Sequence, residues 1–271
     1  MTPCNSLQAI SLLLLSLLIG CSPAPVPAAP ELVEQPTVEL RLIGLVDEAS
    51  ALQQLIRVDN PSLNWQFELG DGQPLLEAVE QGVLDAALVH HIPLSAETLW
   101  YNPVALDGLV FIVHPDNLVQ DLSLGHIQAI YTGQLSNWAD LGGNEGRIEP
   151  LMRGRGSGVR ELFETRVMGS QRIGVNTEIR PNAATLLTGV ANNVNAIGLT
   201  TFSHQPDSVR ALSINRIVAD PAQLTDQQYP LTTPLYWVSR DEPTGEIRGV
   251  LAFMQSEAGQ DALGGNFGRI R

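Results

Sequence analysis

The fold is decided by the stretch Met152-Arg153-Gly154-Arg155-Gly156-Ser157-Gly158-Val159-Arg160-Glu161-Leu162-Phe163, which follows a short apolar run and leads into a helical pattern. Its glycines free the backbone to turn N–H groups inward. Ser157 can begin the helix, and Arg153 and Arg155 carry permanently charged, forked donors. A strand, a glycine loop and a helix in this order predict an α/β unit with an oxyanion site at the helix N-terminus.

This loop has other interpretations. A loop rich in glycine and serine can do no more than cap the helix that follows it. The dinucleotide fingerprint G-x-G-x-x-G is not matched, and a phosphate loop needs a lysine, whereas all 15 basic residues of this chain are arginine. The nucleophile elbow G-x-S-x-G is also absent, because Gly156 directly precedes Ser157. A helix cap and an anion site therefore stay open.

The N-terminal segment has the pattern of a lipoprotein leader. Residues 10–19 are almost wholly apolar and precede Gly20 and Cys21, and a stretch rich in proline and alanine follows. The apolar run is too short for a membrane-spanning helix, and residues 18–21 resemble the bacterial lipoprotein cleavage box. We predict a signal peptide over residues 1–20, a lipid on Cys21 and a linker over residues 21–36. A plain secretory signal and a buried helix are the alternatives.

Cysteine content and charge limit the functions of the remaining 235 residues (271 − 36 = 235). Cys4 and Cys21 are the only cysteines, so the domain over residues 37–271 has neither a disulfide nor a thiol nucleophile. The formal net charge of −14 argues against binding to nucleic acid or to anionic membranes. It does not exclude a small anion, because salt screens distant surface charge over about 8 Å.

Short apolar runs alternate with helical patterns along the chain. Strands are predicted at residues 38–43, 63–69, 83–89, 109–113, 148–152 and 196–199. Ser123 is expected to cap a helix that ends near Gly133. The helical spacing of Ile247, Val250, Leu251 and Met254 is typical of a core face. Strands separated by helices predict an α/β fold with a mainly parallel sheet.

A second motif lies ahead of the glycine loop. After the helix that ends near Gly133 comes Asn137-Trp138-Ala139-Asp140-Leu141-Gly142-Gly143. This order, followed by a strand and the loop from Arg153, resembles the phosphate-binding proteins of bacterial ABC transporters, over about residues 38–263. The resemblance implies a two-lobed type II periplasmic binding fold that closes on its ligand by a hinge. One lobe would contain about residues 37–113 and 202–271, the other about residues 114–201, each with a mainly parallel sheet flanked by helices.

The resemblance also implies roles for single residues. Arg153 matches the arginine that clamps the anion, and Ser157 and Gly158 match donors at the helix start. Asp85 matches a carboxylate that accepts a proton from phosphate, a contact that fully ionised sulfate cannot offer. Its sequence context alone favours another interpretation of Asp85, as a surface carboxylate at a strand end or a helix cap.

Four positions lack the hydroxyl groups of that family. Leu45 and Val46 occupy positions where the family has a glycine–serine–threonine segment. Asp71 occupies a position where the family has serine, and Val159 one where it has threonine. We expect backbone contacts from Leu45, Val46 and Val159, with Arg155 replacing lost donors. The predicted ligand-binding residues are Arg153, Arg155, Gly156, Ser157, Gly158, Val159, Asp85, Leu45 and Val46.

We therefore predict a lipid-anchored extracytoplasmic protein that binds inorganic phosphate or a related oxyanion for the permease of an ABC importer. It is expected to be a monomer without cofactor or metal, bound to the membrane only through its lipid. A surface lipoprotein with a degraded anion site, acting as a sensor or interaction module, stays open. A phosphoryl-processing enzyme is less favoured, because no base stands beside Ser157 and the neighbouring His90 and His91 would point to opposite faces of a strand.

Overall fold

The structure is a computed structural model that describes residues 39–44, 64–70, 72–93, 96 and 98–270. Its strands are β1 (Glu39–Gly44), β2 (Asn64–Leu69), β3 (Ala86–Val89), β4 (Trp100–Val113), β5 (Asp121–Leu122), β6 (Glu149–Arg153), β7 (Glu178–Arg180), β8 (Ala196–Thr201), β9 (Arg210–Ala211), β10 (Ser213–Ile214) and β11 (Thr232–Ser239). Its α-helices are α1 (Gly72–Glu80), α2 (Leu124–Thr132), α3 (Gly158–Phe163), α4 (Ala183–Ala191), α5 (Pro221–Thr225), α6 (Gly245–Gln255) and α7 (Glu257–Leu263). A π-helical turn, Glu164–Met168, continues α3.

Several predicted features fall outside the described residues. These are the signal peptide, the linker, Cys21, Leu45, Val46 and Asp71. Within the described ranges, no helix has the length and apolar character needed to cross a bilayer.

Strand β4 connects two groups of parallel strands. The main sheet has the order β2-β1-β3-β11-β4-β8-β6-β7. Residues 100–108 of β4 lie antiparallel to β11, whereas residues 109–113 lie antiparallel to β8. Strands β1, β2 and β3 run parallel on one side, and β6, β7 and β8 run parallel on the other. The predicted α/β class is confirmed, with β4 and β11 as the antiparallel strands between the parallel groups.

The ends of α2 follow from residues that the sequence indicates. Ser123 accepts a hydrogen bond from the backbone N–H of His126, whose ring in turn lies within hydrogen-bonding distance of the Ser123 N–H. Gly133 ends the helix with φ +83°, a left-handed conformation that favours glycine. The predicted cap and C-terminal glycine are confirmed, and His126 has a structural role at the cap.

The core lies on both faces of the sheet. Its largest cluster surrounds residues 109–113 of β4, where the rings of Tyr131 and Phe163 pack with centroids 4.8 Å apart. A second cluster contains Trp237 together with Val250, Leu251 and Met254 of the helical stripe, and Ile247, which is partly buried, packs against it. The prediction that this stripe faces the core is confirmed. Because Phe163 is the last residue of α3, the first cluster also holds in place the helix that follows the glycine loop.

Candidate functional site

The glycine loop joins β6 to α3 as the sequence predicts. Strand β6 ends at Arg153, Ser157 is the N-cap, and α3 begins at Gly158. Gly156 has φ +86°, so a side chain at this position would strain the backbone. The loop therefore depends on glycine here for its turn, which brings the chain back to the start of α3.

Arg153 is held at the base of this loop. Only 5% of the residue is exposed. Its backbone carbonyl accepts a hydrogen bond of 3.0 Å from a guanidinium nitrogen of Arg160, and the Arg160 Nε donates to Glu164 at 2.7 Å. Arg160, which the sequence interpretation missed, thus ties α3 to the end of β6 and fixes the position of Arg153.

Ser157 does not use its hydroxyl to cap α3. An N-cap serine normally accepts a hydrogen bond from one of the next backbone N–H groups, but Ser157 makes no such bond. The residue is 2% exposed, and its Oγ has no hydrogen-bond partner in the described part of the chain. A buried hydroxyl without a partner costs about 1–3 kcal/mol. Hydrogen bonding to a ligand oxygen would offset that cost.

A second helix begins beside the loop. The backbone N–H of Gln73, in the first turn of α1, donates to the Gly156 carbonyl at 3.2 Å. A Cβ atom on Gly72 would lie 3.2 Å from the Gly158 Cα, so the starts of α1 and α3 approach closely. Each helix N-terminus carries unpaired N–H groups and a partial positive charge. Their approach brings the donor groups of two helix starts together, an arrangement that favours an anion.

The sequence interpretation placed a family site position at Asp71, directly before α1, but assigned no role to the start of the helix, although a signal for it existed. Gly70 and Gly72 follow β2 and precede α1, so they repeat the order of strand, glycine turn and helix found at the loop. That repetition could have indicated a second helix start at the same edge of the sheet.

The strand directions place Asp85 at the other end of β3 from this group, and its predicted role toward a ligand stays a prediction. Gly44 pairs with Leu69 at the ends of β1 and β2, and β3 runs parallel to β1. The carboxyl end of β3, followed by His90, therefore shares an edge with the start of α1. Asp85 precedes β3 and is exposed. At about 3.3 Å per residue, it lies about 16 Å from His90 along the strand.

His91 and Glu161 form a contact between this edge and α3. The His91 Nε2 lies 3.9 Å from a Glu161 carboxylate oxygen, too far for a hydrogen bond, and about a quarter of each side chain is exposed. Burial lowers the pKa of His91. Burial, and secondarily the charge of Glu164, raises the pKa of Glu161. Both shifts favour the uncharged forms, so we regard this pair as a packing contact and not as a strong ion pair.

Arg155 and Val159 differ in how they can contribute. Arg155 is exposed on the loop, so its guanidinium is open to solvent. Val159 packs partly against the main core cluster, so only its backbone N–H is available at the helix start. Valine lacks the hydroxyl that the family has at this position, but its side chain adds packing against the core. Among the described residues, no group of three His, Cys, Asp or Glu side chains is placed to hold a metal ion.

A buried carboxylate lies where β4 passes between the two strand groups. Asp107 is fully buried and accepts hydrogen bonds from the backbone N–H groups of Gly108, at 2.7 Å, and Ser203, at 3.1 Å. It also accepts from the Ser203 hydroxyl and lies 2.8 Å from the His90 Nε2. Asp107 thus links the end of β3, the middle of β4 and the turn after β8. His90 is therefore held in a structural network.

Known proteins resemble this chain in sequence and in fold. Residues 60–258 match the family model described as a PBP superfamily domain. The chain is 27% identical over 232 residues to the phosphate-binding protein PstS of Bacillus subtilis (strain 168), covering 80% of this chain and 77% of that protein. A solved substrate-binding protein with bound phosphate from Clostridium perfringens is similar with a TM-score of 0.80 and 25% identity, over 86% of this chain and 100% of that one. An ABC-type phosphate transport receptor from Vibrio cholerae shares the fold, with a TM-score of 0.65 at 23% identity, over 83% of this chain and 96% of that one.

Proposed function

The chain belongs to the PBP superfamily, and from this premise we propose that it binds inorganic phosphate outside the cytoplasm for an ABC importer. The observation that carries the proposal is the buried Ser157 hydroxyl, without a partner in the described residues, beside buried Arg153 where α1 and α3 begin. The names of the similar proteins, which refer to phosphate binding and phosphate transport, support the same ligand.

Each residue of the proposed site has a distinct task. Arg153 supplies a forked, charged donor in a site largely shielded from water, where charge-assisted hydrogen bonds are strong. Ser157 donates its hydroxyl, and Gly158 and Val159 donate backbone N–H groups from the start of α3. Gly156 shapes the turn and accepts from Gln73 of α1. Arg155 adds charge from the exposed side of the loop, and Leu45 and Val46 are proposed as backbone contacts.

The proposed location follows from the N-terminal sequence. Cys21, after an apolar run and a small residue, is proposed as the lipid attachment point, and residues 21–36 as the linker to the binding domain. Acyl chains contribute about 0.8 kcal/mol per buried methylene, so more than one chain would keep the protein at the membrane surface. There a monomer would deliver its ligand to the permease. Catalysis is not part of this proposal.

A thermal unfolding series tests the proposal. Phosphate at 100 times its dissociation constant should stabilise the protein by about 2.7 kcal/mol, which raises the melting temperature by several degrees. Chloride at equal ionic strength should not. We expect Ser157→Ala to weaken phosphate binding about tenfold, because a hydrogen bond to a charged ligand is lost. The melting temperature without phosphate should not fall and is expected to rise, since the substitution removes a buried hydroxyl that has no partner within the described structure.

The matched control is Ser208→Ala, which removes an exposed hydroxyl elsewhere and should leave phosphate affinity unchanged. Stabilisation by sulfate but not by phosphate would contradict phosphate as the ligand. Stabilisation by none of phosphate, arsenate and sulfate would contradict an oxyanion site and favour the surface lipoprotein with a degraded site.

A further inference from the structure

A cleft of about 410 Å³ lies along the helix that follows the glycine loop. One wall comes from α3 and its π-helical continuation, through Leu162, Thr165 and Arg166. The opposite wall comes from β4, β11 and the end of β3, and includes Tyr101, Tyr236 and His91. The volume falls within the range of about 300–1,000 Å³ that is typical of small-molecule pockets, and it is far larger than a phosphate ion requires.

The cleft and the proposed anion site share one helix. Leu162 lies four positions after Gly158, about 6 Å along the axis at about 1.5 Å per residue. The contact between His91 and Glu161 lies on the same turn of α3. A ligand held at the start of α3 would therefore need to extend by only about one helical turn to enter the cleft.

The walls of the cleft suit an apolar or aromatic group. The rings of Tyr101 and Tyr236 meet edge to face, with centroids 5.7 Å apart and an interplanar angle of 85°. Tyr101 is 49% exposed, which leaves ring surface for a further aromatic contact. Arg166 donates to the Thr232 carbonyl at 3.0 Å, which fixes its guanidinium at the edge of the cleft, where the guanidinium plane can stack on a ring.

The helix itself is irregular where it borders the cleft. Thr165 and Arg166 belong to the π-helical turn, in which the Gly169 N–H donates to the Glu164 carbonyl, five residues back, at 2.9 Å. Such turns are rare, cost stability relative to an α-helix and occur frequently at functional sites. Here the turn sets Thr165 and Arg166, two of the three residues that form the helix wall.

We propose that the cleft receives the organic substituent of a phosphate monoester or phosphonate whose anionic group occupies the site at Arg153 and Ser157. This inference rests on the proposed function, because it assigns a wider ligand class to the same anion site. The substituent is apolar or aromatic and packs between the tyrosine pair and Leu162, with Arg166 over its face.

The test uses phenylphosphonate, which cannot be hydrolysed to phosphate, and inorganic phosphate, each measured by calorimetry and in competition with the other. Phenylphosphonate should displace phosphate. Thr165→Trp fills the cleft from an exposed position and should weaken phenylphosphonate binding about tenfold, while phosphate affinity stays within about twofold. Thr188→Trp, at an exposed position on α4, is the matched control and should change neither affinity. Arg166→Gln is a milder second variant, expected to weaken phenylphosphonate about threefold.

The outcomes separate the two proposals. Phosphate binding without displacement by phenylphosphonate would overturn the cleft inference and leave the proposed function intact. Equal weakening of both ligands by Thr165→Trp would also overturn it, because the substituent would then not lie in the cleft. Binding of neither ligand to the unmodified protein would overturn the proposed function, and the cleft inference with it.

Discussion

Replacing Arg153 by alanine is expected to lower phosphate affinity by about 100-fold or more, the largest effect of any single change at the site. Arg153 is 5% exposed at the end of β6, so its guanidinium would meet the anion in an environment that water screens poorly. Truncating one partner of a buried, hydrogen-bonded charge pair costs about 2–5 kcal/mol. Isothermal titration calorimetry with phosphate at constant ionic strength measures the loss.

Two further variants make this result interpretable. Arg153→Lys keeps the charge but loses the fork, so about a tenfold loss is expected. Arg172→Ala removes an exposed arginine elsewhere and should leave the affinity unchanged. If Arg153→Ala bound phosphate as tightly as the unmodified protein, Arg153 would not belong to the site.

Replacing Asp107 by alanine is expected to reduce the free energy of unfolding by about 3–5 kcal/mol, the largest stability effect that we predict. Removing the fully buried carboxylate leaves the N–H groups of Gly108 and Ser203, the Ser203 hydroxyl and the His90 ring without their acceptor. Leaving buried donors without their acceptor lowers the free energy of unfolding far more than breaking an ion pair at the surface does. Urea unfolding followed by circular dichroism measures the change.

The controls for Asp107 separate its charge from its shape. Asp107→Asn retains one acceptor oxygen and most of the side-chain volume, so the free energy of unfolding should fall by less than it does for Asp107→Ala. Asp207→Ala removes an exposed carboxylate and should change stability by less than about 0.5 kcal/mol. A loss below about 1 kcal/mol for Asp107→Ala would show that the network between β3, β4 and the turn after β8 contributes little to stability.

Much of the fold could be predicted because it depends on local patterns. The cap at Ser123, the glycine at Gly133 and the strand, loop and helix around Arg153 each involve residues close in sequence. The predicted type II periplasmic binding fold is confirmed by its similarity to the Clostridium perfringens protein. The division into two lobes at residues 113 and 201 stays a prediction.

The site was less predictable because its parts come from distant segments. The approach of Gly72 to Gly158 joins residues that no local pattern connects. The role of Asp85 stays a prediction, because a carboxylate beside a strand looks the same in sequence at either end of the strand. In the sequence, Asp107 looks like an ordinary strand residue. Its partners His90 and Ser203 become apparent only when the strands that pair with β4 are known.

The most direct measurement is a crystal structure of the protein grown with phosphate. The account predicts one phosphate between the starts of α1 and α3, within hydrogen-bonding distance of the Arg153 guanidinium, the Ser157 hydroxyl and the backbone N–H of Gly158. Phosphate bound elsewhere, or no phosphate at concentrations that saturate binding in solution, would contradict it.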